Sequence, residues 1–143
     1  MVGGGNIDPW SSEQSTDYNR MIKQFGLTPM DLGSVPNPGM LHRRGIVFAH
    51  RDLDVITDSI TKGDPFGVLT GLMPSGRMHL GHSMVIEQVR WFQEQGADVT
   101  VAVADLEALA TRGTSLHRGR ETALREYVLN YAALGLDSDK TNV

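Results

Sequence analysis

The sequence contains no cysteine. That excludes disulfides and thiolate metal sites, and it fits a reducing compartment. No apolar run approaches the roughly 18–20 residues needed to cross a bilayer. The opening stretch, "MVGGGNIDPW", has neither a basic flank nor an apolar signal core. Positive charge is also short: Lys and Arg number 13 against 17 Asp and Glu, a formal charge of -4. A nucleic-acid partner would therefore need a local patch or another part of a larger protein. These absences lead to the expectation of a cytoplasmic protein that does not engage a membrane.

What is present is an ordinary globular composition. The 143 residues are 40% apolar and 21% charged, enough for one domain with its own core and unlike a disordered chain. The Gly3-Gly4-Gly5 run reads as a flexible tail. In "STDYNRMIKQFG" the spacing of Tyr18, Met21, Ile22 and Phe25 predicts an amphipathic helix, with Ser15 or Thr16 at its cap and Gly26 at its end. "LTPMDLGSVPNPGMLHRRG" has three prolines and three glycines and reads as an extended connection or mobile loop.

From "GIVFAHRDLD" onward the pattern alternates. A short β-prone run is followed by a helical "DLDVITDSITKGD", begun near Asp52 or Asp54 and ended near Gly63. "FGVLTG" is a strand. "HLGHSMVIEQVRWFQEQG" is a helix with Met84, Val85, Val89 and Phe92 on one face, stopping at Gly96. "ADVTVAVAD" is a strand, apolar enough to predict two buried faces. "SLHRGRETALREYVLNYAALG" is a second amphipathic helix, with Leu124, Tyr127, Val128 and Tyr131 on one stripe and Gly135 as its cap. "LDSDKTNV" looks like the approach to a third strand, which suggests a piece of a longer protein. Strands joined by helices of this length predict a parallel sheet with right-handed crossovers. Ligands then lie beyond the carboxyl ends of the strands, where the loops after Val68-Leu69 and after Val101-Ala102-Val103 should be neighbours.

The first of those loops carries the richest chemistry, "TGLMPSGRMHLGHSM". Gly71, Pro74, Ser75 and Gly76 give a turn whose backbone can approach a ligand. The helix that follows offers free N–H groups and a positive dipole end, which favour phosphate. His79 and His82 project from about the same side of its first turn. Gly81 between them leaves a flat place against which a planar ring has room to rest. This suits a nucleotide, yet it is neither a Walker loop nor a three-glycine dinucleotide fingerprint. The plain alternatives for the two histidines are surface or cap residues, or half a metal site whose third ligand no spacing suggests.

"PSGRMHLGH" closely resembles the HIGH signature of class I aminoacyl-tRNA synthetases, with Leu80 at the variable position. "DPW…DYNRMIKQFG", "RRGIVFAHRDLDVI" and "NYAALGLDSDKT" resemble, in order, further blocks of the archaeal/eukaryotic-type tryptophanyl-tRNA synthetase family. The resemblance runs from about Asp8 to the C-terminus. It implies an α/β fold: the first half of a Rossmann-like class I catalytic domain over residues 66–143, preceded by a helical and looped lead-in over 1–65. It also implies a ligase that activates tryptophan with ATP and Mg²⁺, then esterifies it to tRNA(Trp), as a homodimer at full length.

By that match, His79 and His82 are the catalytic histidines that support the phosphates. Gly81 lies under adenine, and Gly71 and Ser75 shape the ATP loop. Glu107, in "VADLEAL", matches the glutamate that accepts the indole N–H; the other reading is a first-turn acid favoured by the helix dipole, and position alone does not separate the two. Asp105 is either a pocket residue or an N-cap, the cap being preferred. No protein carboxylate is required as a permanent metal ligand. Leu69, Ala102 and Leu72 stand where the eukaryotic pattern often has tyrosine, glutamine and arginine. No KMSKS-type loop is present in these 143 residues, so the chain should activate tryptophan poorly or not at all.

Of the remaining residues, His50-Arg51-Asp52 reads as a loop-to-helix junction, and His42-Arg43-Arg44 as a solvated basic cluster. Arg112, Arg118 and Arg120 read as surface residues, and Trp10 and Trp91 as packing residues. Alternatives to the main assignment are a tyrosyl-tRNA synthetase, a small HxGH nucleotidyltransferase, or an inactive nucleotide-binding fragment.

Overall fold

A computed structural model describes residues 17–143. The Gly3-Gly4-Gly5 tail, Trp10 and the expected caps Ser15 and Thr16 lie outside the described residues. The chain divides into two compact units, Met1–Val55 and Ile56–Val143.

In the first unit, helix α1 spans Tyr18–Phe25. Asp17 is its N-cap, its carboxylate accepting the Arg20 N–H at 2.9 Å. Gly26 ends it in the left-handed conformation, φ 60°. The Tyr18 ring packs on Phe48 at 4.5 Å. Strands β1 (Thr28–Pro29) and β2 (Ala49–His50) pair antiparallel, Thr28 opposite His50. The Pro/Gly-rich stretch between them is more ordered than its composition suggests. The Asp31 carboxylate accepts the Gly33 N–H and starts a 3₁₀ turn over Leu32–Ser34. Helix α2 follows over Met40–Arg43, and Val35 and Leu41 are buried. Arg43 donates to the Pro38 carbonyl.

Helix α3 (Leu53–Lys62) leads into the second unit and ends at Gly63, φ 72°. There β3 (Gly67–Leu72), α4 (Leu80–Glu94), β4 (Asp98–Val103) and α5 (Asp105–Arg112) follow in order. A continuous helical run then comprises α6 (Leu116–Thr122), a π-helical turn (Ala123–Val128) and α7 (Leu129–Ala133). The expected third strand is β5 (Thr141–Asn142). The sheet order is β3-β4-β5 and every pair is parallel, with Gly67 opposite Asp98, Leu72 opposite Val103 and Val99 opposite Thr141.

The order advances in one direction, so two crossovers of the same hand lay their helices on one side of the sheet. That side is the core: Ile86 and Val89 from α4, Val99 and Val101 from β4, Tyr127 and Tyr131 from the second helical run, with Ala97 and Leu136. Burying each large aliphatic side chain contributes roughly 1.5–3 kcal/mol. The expectation of two buried faces for β4 is therefore corrected. Val99 and Val101 are buried, whereas Asp98, Thr100 and Ala102 are exposed.

Two helical faces also differ from those predicted. In α4 the buried positions toward the core are Ile86, Val89 and Gln93; Met84 and Val85 are exposed, while Phe92 packs against the core partly buried. Gln93 explains why a polar residue occupies this face. Its amide accepts the Asp137 N–H at 2.7 Å and donates to Thr141 Oγ1 at 2.8 Å, tying α4 to the turn that delivers β5. In the second helical run, Ala123, Tyr127 and Tyr131 are buried while Leu124 is exposed. The π turn holds an extra residue and rotates the stripe away from the 3.6-residue expectation. Gly135, φ 90°, closes the run, with Leu134 at the cap position.

Candidate functional site

The stretch between β3 and α4 begins later than expected, at Met73. Gly71 is not part of the turn; it pairs with Ala102 inside the strand, and a Cβ there would make only ordinary contact with the Ala102 carbonyl at 3.6 Å. Leu69, Gly71 and Ala102 all lie on the exposed face of the sheet. Leu72, the last residue of β3, packs instead against the core. The loop is thus Met73–Met78, with Pro74 buried and Ser75, Gly76 and Arg77 exposed.

Its exit into α4 is built by the two histidines. His79 is the N-cap, and its Nδ1 accepts the Gly81 N–H at 3.2 Å. His82 Nδ1 reaches back to accept the His79 N–H, also at 3.2 Å. Donors that a helix start ordinarily leaves open are satisfied reciprocally. The rings are stacked obliquely, centroids 4.0 Å apart. Since each Nδ1 accepts, hydrogen bonding assigns the neutral ring proton to Nε2 in both. Burial, and then the neighbouring His79, hold His82 below the ordinary histidine pKa of 6.5. The result is a pair of imidazoles held through Nδ1, whose Nε2 atoms stay outside the capping role.

Gly81 has a concrete local reason. A Cβ there would stand 3.1 Å from His79 Cε1 and 3.2 Å from Nδ1. The flat place predicted at Gly81 accepts, in this structure, the edge of His79's own ring.

The loop after β4 is the neighbour expected from the topology. The Ala104 N–H donates to the Leu72 carbonyl at 3.0 Å, and Thr111 Oγ1 in α5 meets Met73 Sδ at 3.5 Å. Ala104, not Asp105, is the N-cap of α5. Asp105 is its first residue, and its carboxylate turns to Arg120 Nε at 3.2 Å. Close approach of α6 makes this pairing possible: a Cβ on buried Gly119 would lie 3.7 Å from Asp105 Cβ. Glu107 is in the first turn of α5 with its side chain exposed, and its carbonyl accepts from Thr111 Oγ1 at 2.7 Å. The dipole reading and the pocket reading are both compatible with that position.

Spacing missed two further capping histidines. His42 is not solvated; it is 1% exposed, and its Nδ1 accepts the Gly39 N–H at the start of α2 at 3.2 Å. His50 Nδ1 accepts the Leu53 N–H at the start of α3 at 3.1 Å. His50-Arg51-Asp52 is the junction expected, with Arg51 donating to the Phe25 carbonyl at the end of α1 at 2.6 Å. A histidine three residues from a helix start is the signal that would have found both. Arg112 and Arg118 are exposed as expected, and Trp91 is buried. Among the described residues, no three His, Asp or Glu side chains converge as a metal site, and no helix is long and apolar enough to cross a membrane.

A parallel sheet with a glycine-containing loop and a capped helix start at its carboxyl edge defines a Rossmann-like architecture. Comparison with known proteins narrows this. Residues 61–143 match the family model described as tRNA synthetases class I (W and Y). A tryptophan–tRNA ligase of Methanosarcina acetivorans is 44% identical over 135 residues, covering 93% of this chain and 31% of the relative. The corresponding ligase of Thermoplasma acidophilum is 47% identical over 131 residues, covering 92% and 30%. The crystal structure of tryptophanyl-tRNA synthetase from Aeropyrum pernix superposes with a TM-score of 0.81 at 40% identity, covering 94% of this chain and 38% of that one. The chain belongs to the class I tRNA synthetases of the tryptophan and tyrosine family. It spans about a third of the length of these relatives.

Proposed function

We propose that this chain is the ATP-binding first half of a tryptophan–tRNA ligase, with residues 66–143 as the catalytic half-domain and 1–65 as its lead-in. The observation that carries the reading is the reciprocal cap of His79 and His82 at the start of the 15-residue helix α4. It fixes two imidazoles through Nδ1 while keeping their Nε2 atoms for another partner. Those atoms, together with the positive end of the helix, suit the phosphates of ATP.

In the proposed reaction the tryptophan carboxylate attacks the α-phosphate and pyrophosphate leaves; the aminoacyl group then passes to tRNA(Trp). His79 and His82 stabilise charge developing on the phosphates, and the protein's remaining work is positioning. Ser75 and Gly71 shape the nucleotide's surroundings. Adenine rests against the backbone at Gly81, beside the capping His79 ring. Glu107 accepts the indole N–H, a donor-only group that a carboxylate discriminates well. Mg²⁺ would enter with ATP. A cytoplasmic homodimer completes the proposal for the whole ligase.

The test is amino-acid-dependent pyrophosphate exchange by the full-length protein that carries this segment. Exchange with tryptophan and not tyrosine is the expected result. A tyrosine preference would overturn the assignment.

A further inference from the structure

The π-helical turn over Ala123–Val128 brings one tyrosine to the loop and leaves another behind. Tyr127 is fully buried, and its hydroxyl donates to the Met73 carbonyl at 3.0 Å, the first residue of the loop after β3. The Ser75 N–H donates to the same Met73 carbonyl at 2.8 Å, and the Ser75 and Gly76 N–H groups counter part of the rise that burial gives the Tyr127 pKa. The Tyr127 ring also meets the His82 ring edge-on, centroids 5.8 Å apart at 75°. One side chain thus touches both the turn and the second histidine. Glu126, beside it on the same turn, lies 3.9 Å from Arg77 of the loop.

Tyr131, one turn further on, supplies the contrast. It is 2% exposed, belongs to the same core cluster, and packs edge-on against Tyr127 at 6.3 Å. Its hydroxyl is buried with no hydrogen-bond partner. Burial, and then Tyr127, push its pKa up to about 12. The two residues have the same chemistry and similar burial, but only Tyr127 is joined to the loop backbone. Packing alone does not call for the Tyr127 hydroxyl, because a phenylalanine would fill the same space.

We propose that Tyr127 is a positioning residue, which fixes the Met73–Gly76 turn through its hydroxyl and the His82 imidazole through its ring. The hydroxyl holds the Met73 carbonyl on the loop's buried side, where that carbonyl also accepts the Ser75 N–H. The open side is then left to the histidine donors and the α4 start. The loop and His82 are set by one rigid group, so their spacing is fixed before a nucleotide arrives. The consequence for ligand binding rests on the reading of this site as an ATP site; the positioning of His82 does not.

The test compares Y127F with Y131F in the 143-residue chain. Three readouts are taken: the His82 imidazole resonances by NMR, amide exchange at Ser75 and Gly76, and affinity for MgATP. In the unsubstituted chain the Ser75 and Gly76 amides should exchange slowly although both residues are exposed. Y127F should speed that exchange, shift the His82 ring resonances and titration midpoint, and weaken MgATP roughly three- to tenfold, as expected for losing one or two hydrogen bonds. Y131F should move none of these. Open-chain exchange at Ser75 and Gly76 before substitution would overturn the proposal, as would His82 resonances that Y127F and Y131F leave equally unmoved. If the unsubstituted chain fails to bind MgATP while Y127F still shifts His82, the ATP reading fails and the positioning role stands.

Discussion

Helices α2 and α4 begin with the same device and serve different ends. In "GMLH" the fourth residue, His42, accepts the Gly39 N–H; in "HLGH" the fourth residue, His82, accepts the His79 N–H, each at 3.2 Å. Both imidazoles are held below their ordinary pKa, first of all by burial. His42 is almost wholly enclosed. His82 is half-buried and stacked with a second, exposed histidine. A histidine that caps a helix is therefore not a functional signal by itself. What separates the two starts is their setting: the α4 histidines lie at the carboxyl edge of a parallel sheet, beside a loop held from beneath.

The sharpest way to break this comparison is to remove each histidine in turn. H82A in the full-length protein should lower pyrophosphate exchange by about 100-fold or more, the scale of losing one preorganised donor to a developing charge. It should cost only about 1 kcal/mol of stability, as for other cap removals. H42A should do the reverse. It empties a buried site and strips the Gly39 N–H of its acceptor, for a stability loss of about 2 kcal/mol by chemical denaturation, with MgATP binding by the second unit unchanged. Equal effects of the two substitutions on exchange would remove the distinction.

A smaller effect is expected at Gly81. A methyl group there crowds the His79 ring at 3.1 Å. G81A should loosen the His79 cap, cost less than about 1 kcal/mol, and shift the His79 resonances more than those of His82. The smallest effect is the pH dependence. His42 and His82 have depressed folded-state values, so the unfolded chain binds the proton more readily. Stability from these groups is present above the ordinary value of 6.5 and is lost as pH falls through it toward the folded values. H42Q should flatten that decline near pH 6, measured as the denaturation midpoint against pH.

Much of the second unit was legible because local signals agreed. Apolar runs, the turn residues Gly63, Pro65 and Gly96, and the HxGH start mark β3, α4 and β4 within a residue or two. The bare face of β4 was not legible, because Val and Ala alternate with few polar residues and hide a period of two. Nor was the π turn, whose extra residue shifts the buried stripe from Leu124 to Ala123 without any compositional mark. Order in the segment between β1 and β2 comes from Asp31 and from burial of Val35 and Leu41, which proline and glycine content conceals. The histidines, Gly81 and their loop were found from the motif itself. Tyr127 was placed on a core stripe, but its reach to Met73 spans 54 residues of sequence and no local spacing records it.

The most direct test of the central claim is an NMR titration of the chain with MgATP, following all imidazole rings together. The account predicts saturable shifts at the Nε2 atoms of His79 and His82, with His42 unmoved. Shifts at His42 equal to those at His79 and His82, or none at any of them, would contradict it.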